Sequence, residues 1–151
     1  MGGPGFYLFN LEQTAHSPHY YYHKFDPEDQ KSHRRSIYRF VVRSQPNPFM
    51  TTLDCADSSQ STPRRNETLT ALQALSLLNN KFTLAMSQHF ANRLAQEGKG
   101  SGYQIKAGFK LVAGRLPNPE EYQLLVQYAE EHGMANLCRS LFSLSEFSFI
   151  D

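Results

Sequence analysis

The 151-residue chain has room for one domain with a sizeable core and too little for two comfortable ones. Fifteen Lys and Arg against 14 Asp and Glu leave a net charge of +1, which excludes a strong nucleic-acid binder, because counterion release needs a clustered basic face. No apolar run approaches the roughly 18 residues of a transmembrane segment, and two cysteines, Cys55 and Cys138, exclude a disulfide-dense scaffold and a four-cysteine zinc site.

The opening Met1-Gly2-Gly3-Pro4-Gly5-Phe6 lacks the basic and apolar regions of a secretory signal, which taken alone favours a cytoplasmic protein. Residues 1–66 hold six of the eight prolines and four of the six histidines. Apolar residues come there in short bursts, at Tyr7-Leu8-Phe9, Tyr20-Tyr21-Tyr22 and 37–42, which read as short strands or ordered loops. The β-branched Ile37, Val41 and Val42 predict a strand over 36–43. A one-turn helix is the alternative, since Ile37, Phe40 and Val41 are also helically spaced.

Residues 67–151 read as helices. Thr70 with Gln73 is a capping box, followed by Leu72, Leu75 and Leu78 at helical spacing and a break at Asn79-Asn80. Phe82, Met86, Phe90 and Leu94 predict the apolar stripe of a second helix ending at Gly98. Ile105, Phe109 and Val112 mark a third, stopped by Gly114. Asn118-Pro119-Glu120-Glu121 is a helix start, with an N-cap, a proline at N1 and a carboxylate at N3. Its expected stripe is Leu124, Leu125, Tyr128 and Ala129, closed by Gly133. Leu137, Leu141 and Leu144 begin a fifth helix. The expected fold is mainly α: a single module of about five short, antiparallel-packed helices (67–151) with an irregular, weakly β N-terminal half (1–66).

Three stretches carry a family resemblance. They are His33-Arg34-Arg35-Ser36-Ile37-Tyr38-Arg39-Phe40; the run Arg43 to Asp57 with Pro63-Arg64-Arg65-Asn66-Glu67-Thr68 to Asn80; and Gly114-Arg115-Leu116-Pro117-Asn118-Pro119-Glu120-Glu121 with Leu137 to Asp151. Together they resemble the C-terminal domain of unknown function of large exported proteins associated with planctomycete-type cytochrome c domains. The resemblance implies an extracytoplasmic protein, a companion domain preceding this one, and haem c on that domain. Some relatives carry carbohydrate-binding modules. The chain itself has no Cys-x-x-Cys-His and so no haem attachment site. Its first six residues look like an internal segment of the family, so a piece of a longer protein is expected.

Several constellations suggest chemistry. His16, His19 and His23 lie within eight residues and present imidazoles suited to zinc, copper or iron; the plainer reading is a loop of exposed histidines among packed tyrosines. The doublets Arg34-Arg35 and Arg64-Arg65 suit anion binding by guanidinium forks. With Asp54 and Asp57 nearby, the plainer reading is a set of structural ion pairs, Arg64 or Arg65 pinning Asp54 or Asp57 over the helix that starts near Thr70. The carboxylates beside Cys55 work against a nucleophilic thiolate there. Cys138 on an apolar helix reads as core, and pairing of the two cysteines is left open. The functional expectation is a structural or interaction module. Its alternatives are part of a redox or carbohydrate-acting enzyme, and a glycan- or anion-binding module using Tyr20–Tyr22 and the arginines.

Overall fold

The structure is a computed structural model that describes residues 4–56, 61, 63, 68, 70–98 and 100–148. The chain falls into two compact units, Met1–Gln73 and Ala74–Asp151. The fold is mainly α, with, among the described residues, five helices of seven residues or more and one short two-stranded sheet near the N-terminus.

In the first unit, β1 (Asn10–Gln13) and β2 (Pro18–Tyr21) form an antiparallel hairpin in which Asn10 faces Tyr21 and Gln13 faces Pro18. Thr14 closes the turn, its hydroxyl donating to the Ser17 carbonyl at 2.7 Å. Pro18 begins its strand, where a missing N–H costs least. Four residues per strand are too few to stand alone, and an aromatic cluster supports them. Buried Phe9 takes the rings of Tyr20, Tyr7 and Tyr22 edge-on at 5.0, 5.4 and 5.6 Å. Three 3-10 turns follow at Tyr22–Lys24, Gln30–Ser32 and Ser36–Tyr38.

The strand expected over 36–43 is not formed. Ser36–Tyr38 is a 3-10 turn, and Arg39 meets Phe6 in a single parallel bridge. Its bonds run from Phe6 N–H to the Tyr38 carbonyl at 3.1 Å and from Phe40 N–H to the Phe6 carbonyl at 2.7 Å. β-Branched residues favour strands where they fit a half-buried pleated surface. Here Ile37 is 76% exposed and only Val42 of the three is buried, so that preference has nothing to act on. The unit also contains α1 (Pro48–Thr52), whose N-cap Asn47 accepts from the N–H groups of Phe49 and Met50 at 3.0 and 3.2 Å. Asn47-Pro48 is the same start signal as Asn118-Pro119, and it was legible in the sequence.

α2 (Ala71–Asn79) crosses the boundary between the units and is followed by α3 (Lys81–Glu97), α4 (Ser101–Ala113), α5 (Pro119–His132), α6 (Met134–Leu141) and α7 (Ser145–Ser148). α6 packs chiefly on α3. Ala91, Leu94 and Cys138 form one core cluster, and Phe109, Val112 and Leu141 another. The buried line of α3 is Thr83, Ser87, Ala91 and Leu94, one step round from the expected Phe82-Met86-Phe90-Leu94. Small side chains let the backbones approach, and the larger Phe82, Met86 and Phe90 flank the contact half-buried. Gly108 on α4 makes a second close approach: a Cβ there would lie 2.8 Å from Leu94 Cδ1. Ile105, Phe109 and Val112 are buried, as their spacing requires.

Two other stripes differ from expectation. On α2, Leu72 and Leu75 are exposed, and only Leu78 of that row is partly covered. On α5, Leu124 and Tyr128 face outward, while Leu125 and Ala129 are half-buried. In both helices the apolar arc is wider than the arc that is covered.

α5 begins with a complete capping box. Asn118 Oδ1 accepts from the Glu121 N–H, and Glu121 Oε2 accepts from the Asn118 N–H, both at 2.8 Å. Glu121 also takes a two-pronged contact from Arg115 at 2.8 and 2.7 Å, and Arg115 lies 4.9 Å from the centre of the Phe109 ring and 3.5 Å from Glu146. The Arg115 guanidinium, then the Asn118 N–H, hold the Glu121 carboxyl at about 2, below its ordinary 4.5. Gly133, at φ 84°, ends α5 and caps α6, a left-handed conformation that glycine adopts without strain.

Two predictions follow from this packing. Leu94→Ala is expected to cost about 2–5 kcal/mol in urea unfolding. Adding Gly108→Ala to it should be less damaging than the sum of the two single changes, since the new methyl enters the space vacated. Glu121 stabilises fully above about pH 4.5, and this contribution is lost as pH falls towards about 2. Thermal melts of Glu121→Gln should therefore lose a larger Tm at pH 6 than at pH 2.5.

Candidate functional site

The alternation of β2 divides the aromatic run. Tyr20 turns to Phe9, while His19 and Tyr21 share the other face, where their rings stack with centroids 6.3 Å apart. His23 meets Tyr21 edge-on at 5.6 Å, and the Lys24 ammonium lies 4.2 Å from the centre of the same ring. The Tyr22 hydroxyl donates to the Gln45 carbonyl at 2.6 Å, and the Gln45 side-chain amide donates to the Tyr20 carbonyl at 3.2 Å. Residues 19–23, with Gln45 and Pro48, line a groove of about 310 Å³. Burial pushes the Tyr22 phenol up, and the Arg39 charge acts against that shift.

His16 lies in the hairpin turn, exposed, and His19 and His23 are exposed on either side of Tyr21. Among the described residues, no group of three or more His, Cys, Asp or Glu side chains stands together to hold a metal ion. The structure places His19 and His23 on the groove and leaves His16 outside its lining.

Arg34 and Arg35 part company. Arg34 is half-buried beside the rings of Tyr38 and Phe6, 4.7 and 5.9 Å from their centres, and donates to the Pro4 carbonyl. Arg35 is exposed at the start of a 3-10 turn. Of the expected ion pairs, Asp57, Arg64 and Arg65 lie outside the described residues. Asp54 is well placed: its Oδ2 accepts from the N–H and hydroxyl of Thr68, each at 2.7 Å, and from Gln73 Nε2 at 2.9 Å. The Thr68 bonds, with a smaller part from Gln73, hold the carboxyl below its usual range. Gln73 completes the capping box, its Oε1 accepting from the Thr70 N–H at 3.0 Å and its own N–H donating to the Thr70 hydroxyl at 3.2 Å. Asp54 reaches these partners from a left-handed backbone, φ 55°.

Both cysteines are free. Cys55 accepts from Arg39 Nη2 at 3.1 Å, while burial pushes the Cys138 thiol up to about 12 and leaves it a core side chain. Sequence reasoning missed Arg39, Gln45 and Thr68. Each acts on a partner 14 or more residues away, and no local pattern marks such a contact.

No helix among the described residues is long and apolar enough to cross a membrane. The PSD1 family, proteins of unknown function (DUF1553), matches residues 1–129. No curated protein and no solved structure matches the chain.

The Asp54 node makes its own prediction. Asp54→Ala and Gln73→Ala should each lower the urea midpoint, and the double variant should fall short of their sum, because the two side chains share a bond. Additive losses would show that the contact is energetically idle.

Proposed function

The chain belongs to the PSD1 family of proteins of unknown function, and on that premise we propose that it is a structural and interaction module of a larger exported protein, docking against a companion domain that carries haem c. The observation behind this reading is the apolar surface of the first unit. Ile37, Tyr7, Phe40 and Val41 are 76, 60, 49 and 39% exposed, and the Tyr7 and Phe40 rings are in contact at 5.2 Å. Large apolar side chains gathered at a surface mark an interface more often than chance exposure does. The resemblance of 33–40, 43–57, 63–80, 114–121 and 137–151 to cytochrome c-associated proteins supports the export and the haem partner.

The test has two arms. Expressed alone, the chain should self-associate in light scattering and bind a hydrophobic dye, and Ile37→Glu, at a side chain that is 76% exposed, should reduce both at an unchanged Tm. A monodisperse, dye-silent monomer overturns the docking surface. Genomic DNA upstream of Met1 should encode an in-frame Cys-x-x-Cys-His; a stop codon directly upstream overturns the haem companion.

A further inference from the structure

The 14 residues of α5 include Glu120, Glu121, Glu130 and Glu131 and no lysine or arginine. A helix face left to solvent is ordinarily steadied by mixed signs, with Glu and Lys four residues apart. Glu121 is engaged by its own cap and by Arg115. Glu130 and Glu131 stand in the last turn, where the negative end of the helix dipole works against a carboxylate. Their local relief is small: Gln127 donates to Glu131 at 3.0 Å, and the exposed His132 ring lies 3.8 Å from it. A sequence that breaks a rule of local stability in this way points to a contact made elsewhere.

We propose that the outer face of α5 is a docking surface for a cationic amphipathic helix of a partner protein. Glu120, Leu124, Gln127, Tyr128 and Glu131 have the spacing of one helix face, and all five are exposed, Leu124 by 67%. The face is therefore apolar in the middle and acidic at both ends. At 1.5 Å per residue, the Glu120 and Glu131 positions lie about 16 Å apart along the axis. A helix laid alongside would set aliphatic side chains on Leu124 and Tyr128, with a lysine or arginine at each end, three turns apart. Rows of anchors at this spacing are how an amphipathic helix is recognised. With an acid at each end, such a partner fits in either direction.

Charge argues against a second copy as the occupant. Antiparallel pairing of two α5 helices would bring the Glu120 end of one against the Glu131 end of the other, and parallel pairing would set each acid on itself; like charges so placed oppose association. The rest of the helical unit offers little to replace them. Arg93 pairs with Glu97, Arg115 with Glu121, Arg139 donates to the Leu78 carbonyl, and the Lys106 ammonium lies 4.7 Å from the centre of the Tyr122 ring.

This surface shares no residue with the one around Tyr7 and Phe40, so Ile37→Glu leaves it intact and failure of either reading is seen without the other. The experiment is an amide-resolved NMR titration of the full chain with three capped helical peptides of the length of α5. The first has a leucine row with lysines at its ends, the second has glutamates in place of the lysines, and the third is the lysine peptide shuffled so that no apolar row forms. The lysine peptide is expected to give saturable shifts centred on 120–131, with the other two about tenfold weaker or more. Leu124→Gln should weaken the lysine peptide by about tenfold. Glu131→Lys should weaken it as well, admit the glutamate peptide, and leave Tm no lower, since a cation suits that end of the helix. Absence of shifts at millimolar lysine peptide overturns the proposal. So do shifts centred elsewhere, or an equal response to the shuffled peptide. Concentration-dependent shifts on α5 without any peptide would give the face to a second copy and overturn it too.

Discussion

Every helix end leaves backbone N–H or carbonyl groups without an intrahelical partner, and a chain cut into helices of 4 to 17 residues multiplies such ends. The rest of this structure depends on how those groups are satisfied. Asn47, Asn80 and Asn118 each turn a side-chain oxygen onto the first N–H groups of α1, α3 and α5. Thr70 and Gln73 serve the start of α2. At its other end, Arg139 from α6 donates to the Leu78 carbonyl at 2.6 Å and to Asn79 Oδ1 at 2.8 Å. A guanidinium suits that place, since it meets both the free carbonyls and the negative end of the helix dipole.

Two of these caps are more than local. Glu121 closes the α5 box and holds Arg115, which lies against Phe109 in the core cluster. The loop between α4 and α5 is thereby tied to the interior. Asp54 works in the same manner across 14 residues, joining the stretch after α1 to Thr68 and Gln73. In each case one ionised carboxylate collects several N–H or O–H donors, and that is why both acids are held below their usual range.

The two units solve the problem of burial differently. The helical unit buries Leu94, Leu137 and Leu141 almost completely. The first unit has Phe6, Phe9 and Val42 as its buried apolar residues and relies on ring-to-ring contact, an Arg34 guanidinium against aromatic faces, and turns closed by side chains. Such an arrangement leaves aromatic surface at its rim, which is where both the apolar surface and the tyrosine groove are found.

The sequence by itself determined the mainly α class and the helix ends that carry a local signal. Asn118-Pro119-Glu121, Thr70-Gln73, Gly114 and Gly133 act through bonds spanning at most four residues, so their grammar is readable in one dimension. The same grammar at Asn47-Pro48 was equally readable. Tertiary structure decided which side of each helix is covered. Phe82, Met86, Leu124 and Leu72 are apolar enough for any core, yet the buried line of α3 runs through Ser87 and Ala91, and Leu124 and Leu72 stay exposed. It also decided that Ser36–Tyr38 turns rather than extends, and that Asp54, Arg39 and Gln45 have the partners they have. Hydrophobicity states what can be buried, but only the packed chain supplies the surface that buries it, and contacts closed across long loops leave no periodic trace.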